Sequence, residues 1–185
     1  MKTYQLKVAG LERSLPICRV TDDLYIGAFV IFGDVELTEA CSRELLKLAP
    51  PYDYLITAES KGIPLAYEMS RQAGKNKWFL ARKTPKLYMQ NVLSVEVKSI
   101  TTEARQHLHI DGADVEMMRG KRILIVDDVI STGESLRAVE ELVLQAGGIV
   151  AGRMAILAEG DARDRTDILY LEKLPLFDRD GNPLD

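Results

Sequence analysis

The sequence has few cysteines, no long apolar run and no excess of basic residues. Its two cysteines, Cys18 and Cys41, form neither a metal-binding pattern nor a disulfide framework, which favours a reducing compartment. The longest apolar stretch, residues 24–32, contains a glycine and is too short to cross a bilayer. The first ten residues lack the apolar centre of a signal peptide. We therefore expect a soluble, cytoplasmic protein that has no membrane partner.

Acidic residues outnumber basic ones in this chain of 185 residues, with 28 Asp and Glu against 24 Lys and Arg and a net charge of -4. A protein that binds a nucleic acid duplex uses a basic face to displace counterions from the phosphates. We therefore expect no nucleic acid partner. A small anionic ligand needs only a local cluster of cations, so the charge balance permits one.

The apolar pattern alternates between strands and helices from residue 54 onward. It predicts strands at residues 54–58, 78–81, 123–126, 149–157 and 168–171, and helices near residues 37–48, 64–73 and 136–146. Such alternation is typical of α/β folds, in which right-handed crossovers place helices on both faces of a mostly parallel, twisted sheet. The length suits a single domain that covers residues 1–185.

Three segments do not follow this alternation. Residues 1–35 are expected to form a small hood or flap over one edge of the sheet. Residues 82–106 are polar and contain two alternating segments that predict a hairpin, either a mobile lid or an ordinary solvated surface hairpin. The tail, residues 178–185, is polar and is expected to fray.

Three loops follow predicted buried strands, and each carries residues suited to a phosphorylated ligand. The first loop is residues 59–62, the second contains Arg82, Lys83 and Lys86, and the third is residues 127–135. In open parallel sheets, ligands bind beyond the carboxyl ends of the strands, where such loops meet. We therefore expect the three loops to share one rim.

The end of the third loop is rich in hydroxyl groups and opens a helix. Its members are Ser131, Thr132, Gly133, Glu134 and Ser135. A helix N-terminus presents unpaired N–H groups to an anion, although a serine or threonine here would also serve as an ordinary helix cap. No lysine follows the glycine, which excludes an ordinary P-loop nucleotidase.

Two adjacent acids, Asp127 and Asp128, end the most apolar predicted strand, where unpaired carboxylates are costly. Successive strand side chains point to opposite faces, so the two can share a role only where the chain turns sharply. We expect one acid to bind hydroxyl groups or a metal-bound ligand and the other to fix the loop. A site made by a metal alone is less favoured, because magnesium normally needs ligand phosphates as well.

Residues 123–135, with the sequence ILIVDDVISTGES, resemble the phosphoribosyl-pyrophosphate (PRPP) motif of the type I phosphoribosyltransferases. Residues 59–62 look like the pyrophosphate loop of that family, and residues 81–87 are similar to the start of the mobile loop in its purine enzymes. The resemblance covers about residues 30–157 in a consistent order. It implies a type I phosphoribosyltransferase-like fold with a small N-terminal hood and a mobile hairpin lid.

The resemblance also implies a role for each loop. The residues that would bind the 5-phosphate of PRPP are Ser131, Thr132, Gly133, Glu134 and Ser135. Those that would bind pyrophosphate are Ser60, Lys61, Gly62, Arg82, Lys83 and Lys86. The catalytic residues would be Asp128, Asp127, Glu96 and Lys83, and the base-binding residues Phe32 and Val129. Magnesium would bridge the pyrophosphate and the sugar, with no metal ligand supplied directly by the protein.

Several positions depart from the adenine-specific pattern of the family. Gly33 and Lys61 stand where adenine enzymes have arginine, Glu134 stands where many purine enzymes have glycine, and residues 97–101 also resemble xanthine enzymes. The resemblance implies a purine phosphoribosyltransferase of purine salvage, with adenine as the favoured base and xanthine or guanine as alternatives. A PRPP-sensing protein without turnover and an unrelated flavodoxin-like binding domain stay open. Relatives are commonly dimers, so we expect a homodimer.

Overall fold

The computed structural model describes residues 2–98 and 105–184. In chain order its strands are β1 (Thr3–Val8), β2 (Leu11–Arg19), β3 (Tyr25–Gly27), β4 (Tyr54–Ala58), β5 (Phe79–Ala81), β6 (Leu93–Lys98), β7 (Arg105–Ile110), β8 (Arg122–Ile130), β9 (Ile149–Glu159), β10 (Leu169–Leu174), β11 (Leu176–Phe177) and β12 (Pro183–Leu184). The helices are α1 (Val35–Leu48), α2 (Ile63–Gln72), α3 (Gly112–Met118) and α4 (Glu134–Gln145), and a short 3-10 helix covers Gly160–Asp164.

The central sheet has five parallel strands in the order β10-β9-β8-β4-β5. The chain passes from β4 outward to β5 and later returns to β8 on the other side of β4. The strand order therefore reverses between β4 and β8, and the loops that follow these two strands diverge. Such a reversal opens a crevice at the carboxyl edge of the sheet. The predicted mostly parallel sheet is confirmed.

Helices cover both faces of this sheet, and β8 shows why. Its side chains alternate, so Leu124 and Val126 pack in the cluster that contains buried residues of α1 and α2. Ile123 and Ile125 point the other way, into the cluster that contains the buried stripe of α4. Burial of one such side chain contributes about 1.5–3 kcal/mol relative to an exposed one. The α/β arrangement predicted from the apolar pattern is confirmed.

The N-terminal segment and the tail form a second sheet, with the order β1-β2-β3-β11-β12 and antiparallel pairing. Leu6 and Leu15 anchor the N-terminal strands in the same cluster as α1. The expected fraying of the tail is wrong, because Pro183 pairs with Phe177 and the Asp178 carboxylate accepts hydrogen bonds from the Asn182 main chain and side chain. A sequence pattern gives no signal for the pairing of β11 with β3, which joins the tail to this sheet, since β3 lies about 150 residues away.

The predicted hairpin is present as β6 and β7, paired in the register Leu93 to Ile110. Its base is part of the core, because Val95 and Leu108 are buried in the same cluster as α4. The main chains of Arg82 and His109 exchange two hydrogen bonds of 2.8 Å, which join the hairpin to the end of β5. Part of the predicted mobile loop, residues 99–104, lies outside the described residues. Helix α3, which follows the hairpin, was not predicted from the sequence.

Candidate active site

The carboxyl edge of the sheet carries a cavity of about 260 Å³ between the loops that follow β4, β5 and β8. The predicted site residues that line this cavity are Ser60, Lys61, Lys83, Asp127, Asp128, Val129, Ser131, Thr132, Gly133 and Ser135. The sequence did not single out four further lining residues, Ala58, Glu59, Ile130 and Leu136. The residues of all three loops thus meet around one space, as parallel strands require.

The loop of residues 131–135 leads into α4 without a side-chain cap from its N-cap residue. Gly133 is the N-cap residue with φ of 81°, in the left-handed region, and it has no side chain to cap the helix. The hydroxyl of Thr132 accepts one long bond, 3.4 Å, from the Glu134 N–H. Among the described residues, helix capping by Thr132 therefore consists of this one long hydrogen bond, so ordinary capping by Ser131 or Thr132 explains little of the composition of this loop. The N–H groups at the start of a helix and the helix dipole make an anion site.

The two adjacent acids both line the cavity, although β8 continues through them to Ile130. Asp128 is 3% exposed, and its main-chain N–H donates to Asp127 Oδ1 at 2.9 Å. The Lys61 Nζ lies 3.3 Å from Asp128 Oδ2 without hydrogen-bond geometry, so this buried oxygen has no hydrogen-bond partner among the described residues. A buried carboxylate oxygen in this state is suited to accept a bond from a ligand.

Burial raises the pKa of Asp127 well above its ordinary value, and the charge of the neighbouring Asp128 raises it further. Lys61 opposes the effect without cancelling it. The pair of acids therefore carries less negative charge near neutral pH than two free carboxylates would. This lowers the repulsion that a phosphorylated ligand meets on entering the cavity.

Glu159 is a third acid at this rim, and sequence reasoning missed it. It ends β9, is 8% exposed, and its carboxylate interacts with the Ser131 side chain. Burial raises its pKa, and the interaction with Ser131 opposes that shift. An acid at the end of a long apolar strand was the available signal, the same one that identified Asp127 and Asp128.

The first loop is held tightly where α2 begins. A Cβ on Gly62 would stand 2.0 Å from Thr57 Oγ1 and 3.1 Å from Asp127 Oδ1. Thr57 is fully buried in β4, so any side chain at Gly62 meets atoms that have no room to move. The chain needs glycine here for space rather than for an unusual backbone angle. The close approach fixes Lys61 beside the two acids.

The predicted cations of the second loop do not all reach the cavity. Lys83 lines it, whereas Arg82 is paired with Glu59 at 2.5 Å and the Lys86 Nζ donates to the Thr84 hydroxyl at 3.3 Å. Burial favours the protonated form of Glu59, but the hydrogen bond from the Lys83 N–H and the charge of Arg82 outweigh it, so the Glu59 pKa lies below its usual value. Glu59 thereby links the first and second loops.

The remaining predicted residues lie away from the lining of the cavity. Phe32 is 48% exposed and precedes α1, so it is not part of the core. Glu96 lies on β6, opposite His107. Gly62 and Glu134 lie outside the lining, and Glu134 is the first residue of α4.

Two negative findings concern metals and membranes. In residues 2–98 and 105–184, no group of three or more His, Cys, Asp or Glu side chains is arranged to hold a metal ion. The same residues contain no helix that is long and apolar enough to span a bilayer.

Comparison with known proteins gives a consistent family. Residues 40–172 match the family model described as phosphoribosyl transferase domain. Curated relatives include an orotate phosphoribosyltransferase of Caldanaerobacter subterraneus, 32% identical over 76% of this chain and 64% of its own length. An adenine phosphoribosyltransferase of Ureaplasma parvum is 35% identical over 58% of this chain and 59% of its own length. A hypoxanthine/guanine phosphoribosyltransferase of Methanococcus voltae is 26% identical over 73% and 68%.

Solved structures agree with this result. The crystal structure of an adenine phosphoribosyltransferase from Thermoanaerobacter pseudethanolicus aligns with a TM-score of 0.65 and 26% identity, over 77% of this chain and 83% of that one. The chain matches only 64% and 59% of the length of the first two curated relatives named above. The names of the three curated relatives refer to four bases, which are orotate, adenine, hypoxanthine and guanine.

Proposed function

Because this chain belongs to the phosphoribosyl transferase domain family, we propose that it transfers ribose 5-phosphate from PRPP to a purine base and releases pyrophosphate, as an enzyme of purine salvage. The observation that carries the proposal is the meeting of three loops, with an anion site, two acids and two lysines, around one cavity. A sugar with phosphates at both ends matches that distribution of charge.

The sugar end of the ligand is assigned to the loop after β8. The N–H groups at the start of α4 and the hydroxyls of Ser131, Thr132 and Ser135 bind the 5-phosphate. Asp128 and Asp127 accept hydrogen bonds from the ribose hydroxyl groups, and the unpartnered Asp128 Oδ2 supports this role. The apolar side chain of Val129 lies beside them in the cavity lining, where it forms the surface beneath the base.

The pyrophosphate end is assigned to the first and second loops. Lys61 is half exposed, so its amine can leave Asp128 and pair with a ligand phosphate. Lys83 supplies a second cation from across the cavity, and Ser60 contributes an N–H group. Gly62, outside the lining, is assigned a main-chain N–H contact with the pyrophosphate. Arg82 and Lys86 add positive charge nearby and reach the ligand when the second loop closes.

Magnesium fits this site as an ion carried by the ligand. Two neighbouring carboxyl groups are too few to satisfy six-coordinate Mg²⁺ alone, whereas one or two carboxylates together with phosphates are its usual ligands. When bound, the ion neutralises charge on the departing pyrophosphate.

Chemistry at ribose C1 follows from these positions. A purine ring nitrogen displaces pyrophosphate with inversion, so positive charge develops on the sugar and negative charge on the leaving group. Asp128 stabilises the positive charge on the sugar, and Lys83 and the N–H groups near Gly62 stabilise the negative charge on the pyrophosphate. These effects grow when water is excluded. Closure of the hairpin lid, residues 82–106, is the proposed means of exclusion.

Adenine is the favoured base, supported by the adenine phosphoribosyltransferase structures that align with this chain. Phe32 is exposed enough to stack on a base, and Glu96 lies on the hairpin that would close over it. Xanthine or guanine is the alternative, supported by the relatives named for hypoxanthine and guanine. We also propose a cytoplasmic homodimer.

A pyrophosphate-release assay tests the proposal. The protein is incubated with PRPP, Mg²⁺ and, separately, adenine, xanthine, guanine, hypoxanthine or orotate. Release with a purine supports the enzyme and names its base, and release with orotate alone contradicts the purine assignment. Binding of PRPP without release supports a sensor. Lys61→Gln is expected to lose activity, whereas Lys75→Gln, a lysine paired with Tyr52 rather than with the cavity, is a matched control.

A further inference from the structure

Arg165 lies against the loop of residues 131–135, although about thirty residues separate them in the sequence. It follows the 3-10 helix at the end of β9, and its Nη1 lies 2.5 Å from the point where a Cβ on Gly133 would stand. Gly133 also has a φ of 81°. Glycine is therefore required on two counts, its backbone angle and the room it leaves for a guanidinium. The contact brings a permanent cation to the start of α4.

Asp167 holds this guanidinium from the side opposite the loop. Arg165 Nε donates to Asp167 Oδ1 at 2.9 Å, and Nη2 donates to Oδ2 at 2.7 Å. Nη1, the nitrogen nearest Gly133, has no hydrogen-bond partner among the residues that the structure describes. A bidentate ion pair of this kind fixes the plane of the guanidinium. Its free N–H groups therefore remain available at the loop.

The loop itself contains no basic residue to balance a phosphate. Glu134 is acidic, and the nearby acids Asp127, Asp128 and Glu159, whose negative charge burial reduces without removing, add to the negative potential. A phosphate monoester carries about -1.5 to -2 charges at neutral pH. Lys61 lies on the other side of the cavity, paired with Asp128. Helix N–H groups alone would have to offset this repulsion unless Arg165 contributes.

We propose that Arg165 is a further binding residue for the 5-phosphate, in which Nη1 donates to a phosphate oxygen while Asp167 keeps the guanidinium in place. The assignment rests on the proposed function, because it concerns the same cavity. It predicts that Arg165 recognises the phosphomonoester end of the ligand and has no part in binding pyrophosphate.

Calorimetric titration of two probes, ribose 5-phosphate and magnesium pyrophosphate, tests the assignment on the full chain. Arg165→Gln is expected to weaken ribose 5-phosphate binding about tenfold or more, the range of a hydrogen bond to a charged group, and to leave pyrophosphate binding unchanged. Arg163→Gln is the matched control, because Arg163 is also half buried in this segment but donates to the Gly160 carbonyl. Arg165→Lys keeps the charge and is expected to recover part of the affinity.

The outcomes separate the assignment from the proposed function. Wild-type protein that binds neither probe contradicts both. Wild-type protein that binds both probes, with an Arg165→Gln variant that binds ribose 5-phosphate equally well, overturns the role of Arg165 alone. An Arg165→Gln variant that loses both probes also overturns it, because the effect would then be a general loss of structure. Asp167→Asn loosens the hold on the guanidinium but keeps Arg165, so it is expected to weaken ribose 5-phosphate binding less than Arg165→Gln does.

Discussion

Replacing Gly62 by alanine tests the geometry that joins the first loop to the acids. The added Cβ would stand 2.0 Å from Thr57 Oγ1, which is about 1.5 Å closer than an ordinary van der Waals contact. Thr57 is fully buried and pairs with Leu80 of β5, so it cannot move aside. The loop must therefore shift, and Lys61 shifts with it.

The expected cost follows from overpacking in a filled interior, about 1–3 kcal/mol. For a domain of this size, that cost corresponds to a fall in Tm of about 2–12 °C. Displacement of Lys61 is expected to weaken pyrophosphate binding as well. Thr57→Ala in the same chain removes the nearest atom, Oγ1, and is expected to restore part of both properties, although the Thr57 Cβ at 3.2 Å stays close.

Thermal unfolding and pyrophosphate titration of the single and double variants check this prediction. Gly27→Ala is a matched control, since its Cβ would meet other atoms at ordinary distances of 3.4 Å or more. A Gly62→Ala protein that melts within about 1 °C of wild type and binds pyrophosphate normally would refute the reasoning, because the loop could then adjust at no cost.

Four further substitutions, at three positions, test the acids at the rim. Asp128→Asn is expected to reduce turnover about 100-fold with little change in Tm, and normal pyrophosphate release would show that the wrong carboxylate was assigned. Asp127→Asn is expected to raise Tm relative to wild type at pH 9 more than at pH 5. The Asp127 pKa is higher in the folded state than in the unfolded chain, so ionisation of Asp127 lowers stability as the pH rises above the pKa of the unfolded chain. An equal rise in Tm at both pH values would contradict this. Glu159→Leu removes the polar neighbour of the Ser131 side chain and is expected to weaken ribose 5-phosphate binding several-fold, whereas Glu159→Gln, which keeps a hydrogen-bonding group there, is expected to bind normally. Equal affinity in the two Glu159 variants would show that the interaction with Ser131 has no role.

Local patterns were sufficient to predict the central sheet and its helices. The run Ile123, Leu124, Ile125, Val126 is apolar on both faces because α4 covers one face and α1 and α2 cover the other. The shared rim followed from a general property of parallel strands, whose carboxyl ends lie at one edge. These features depend on residues close together in the sequence.

Contacts between distant segments could not be predicted in the same way. The pairing of β11 with β3 and the position of Arg165 against Gly133 each join parts of the chain that carry no matching local signal. The requirement for Gly62 depends on the side chain of Thr57, which looks like any other strand residue in the sequence. Glu159 was visible as an acid at a strand end, but its interaction with the Ser131 side chain was not.

The central claim is that one sugar with phosphates at both ends spans the three loops, and a crystal structure of the protein grown with PRPP and Mg²⁺ tests it most directly. We predict the 5-phosphate against residues 131–135, the ribose hydroxyl groups within hydrogen-bond distance of Asp127 and Asp128, and the pyrophosphate against Ser60, Lys61 and Lys83. An empty cavity at saturating PRPP, or PRPP bound at another part of the surface, would contradict the claim.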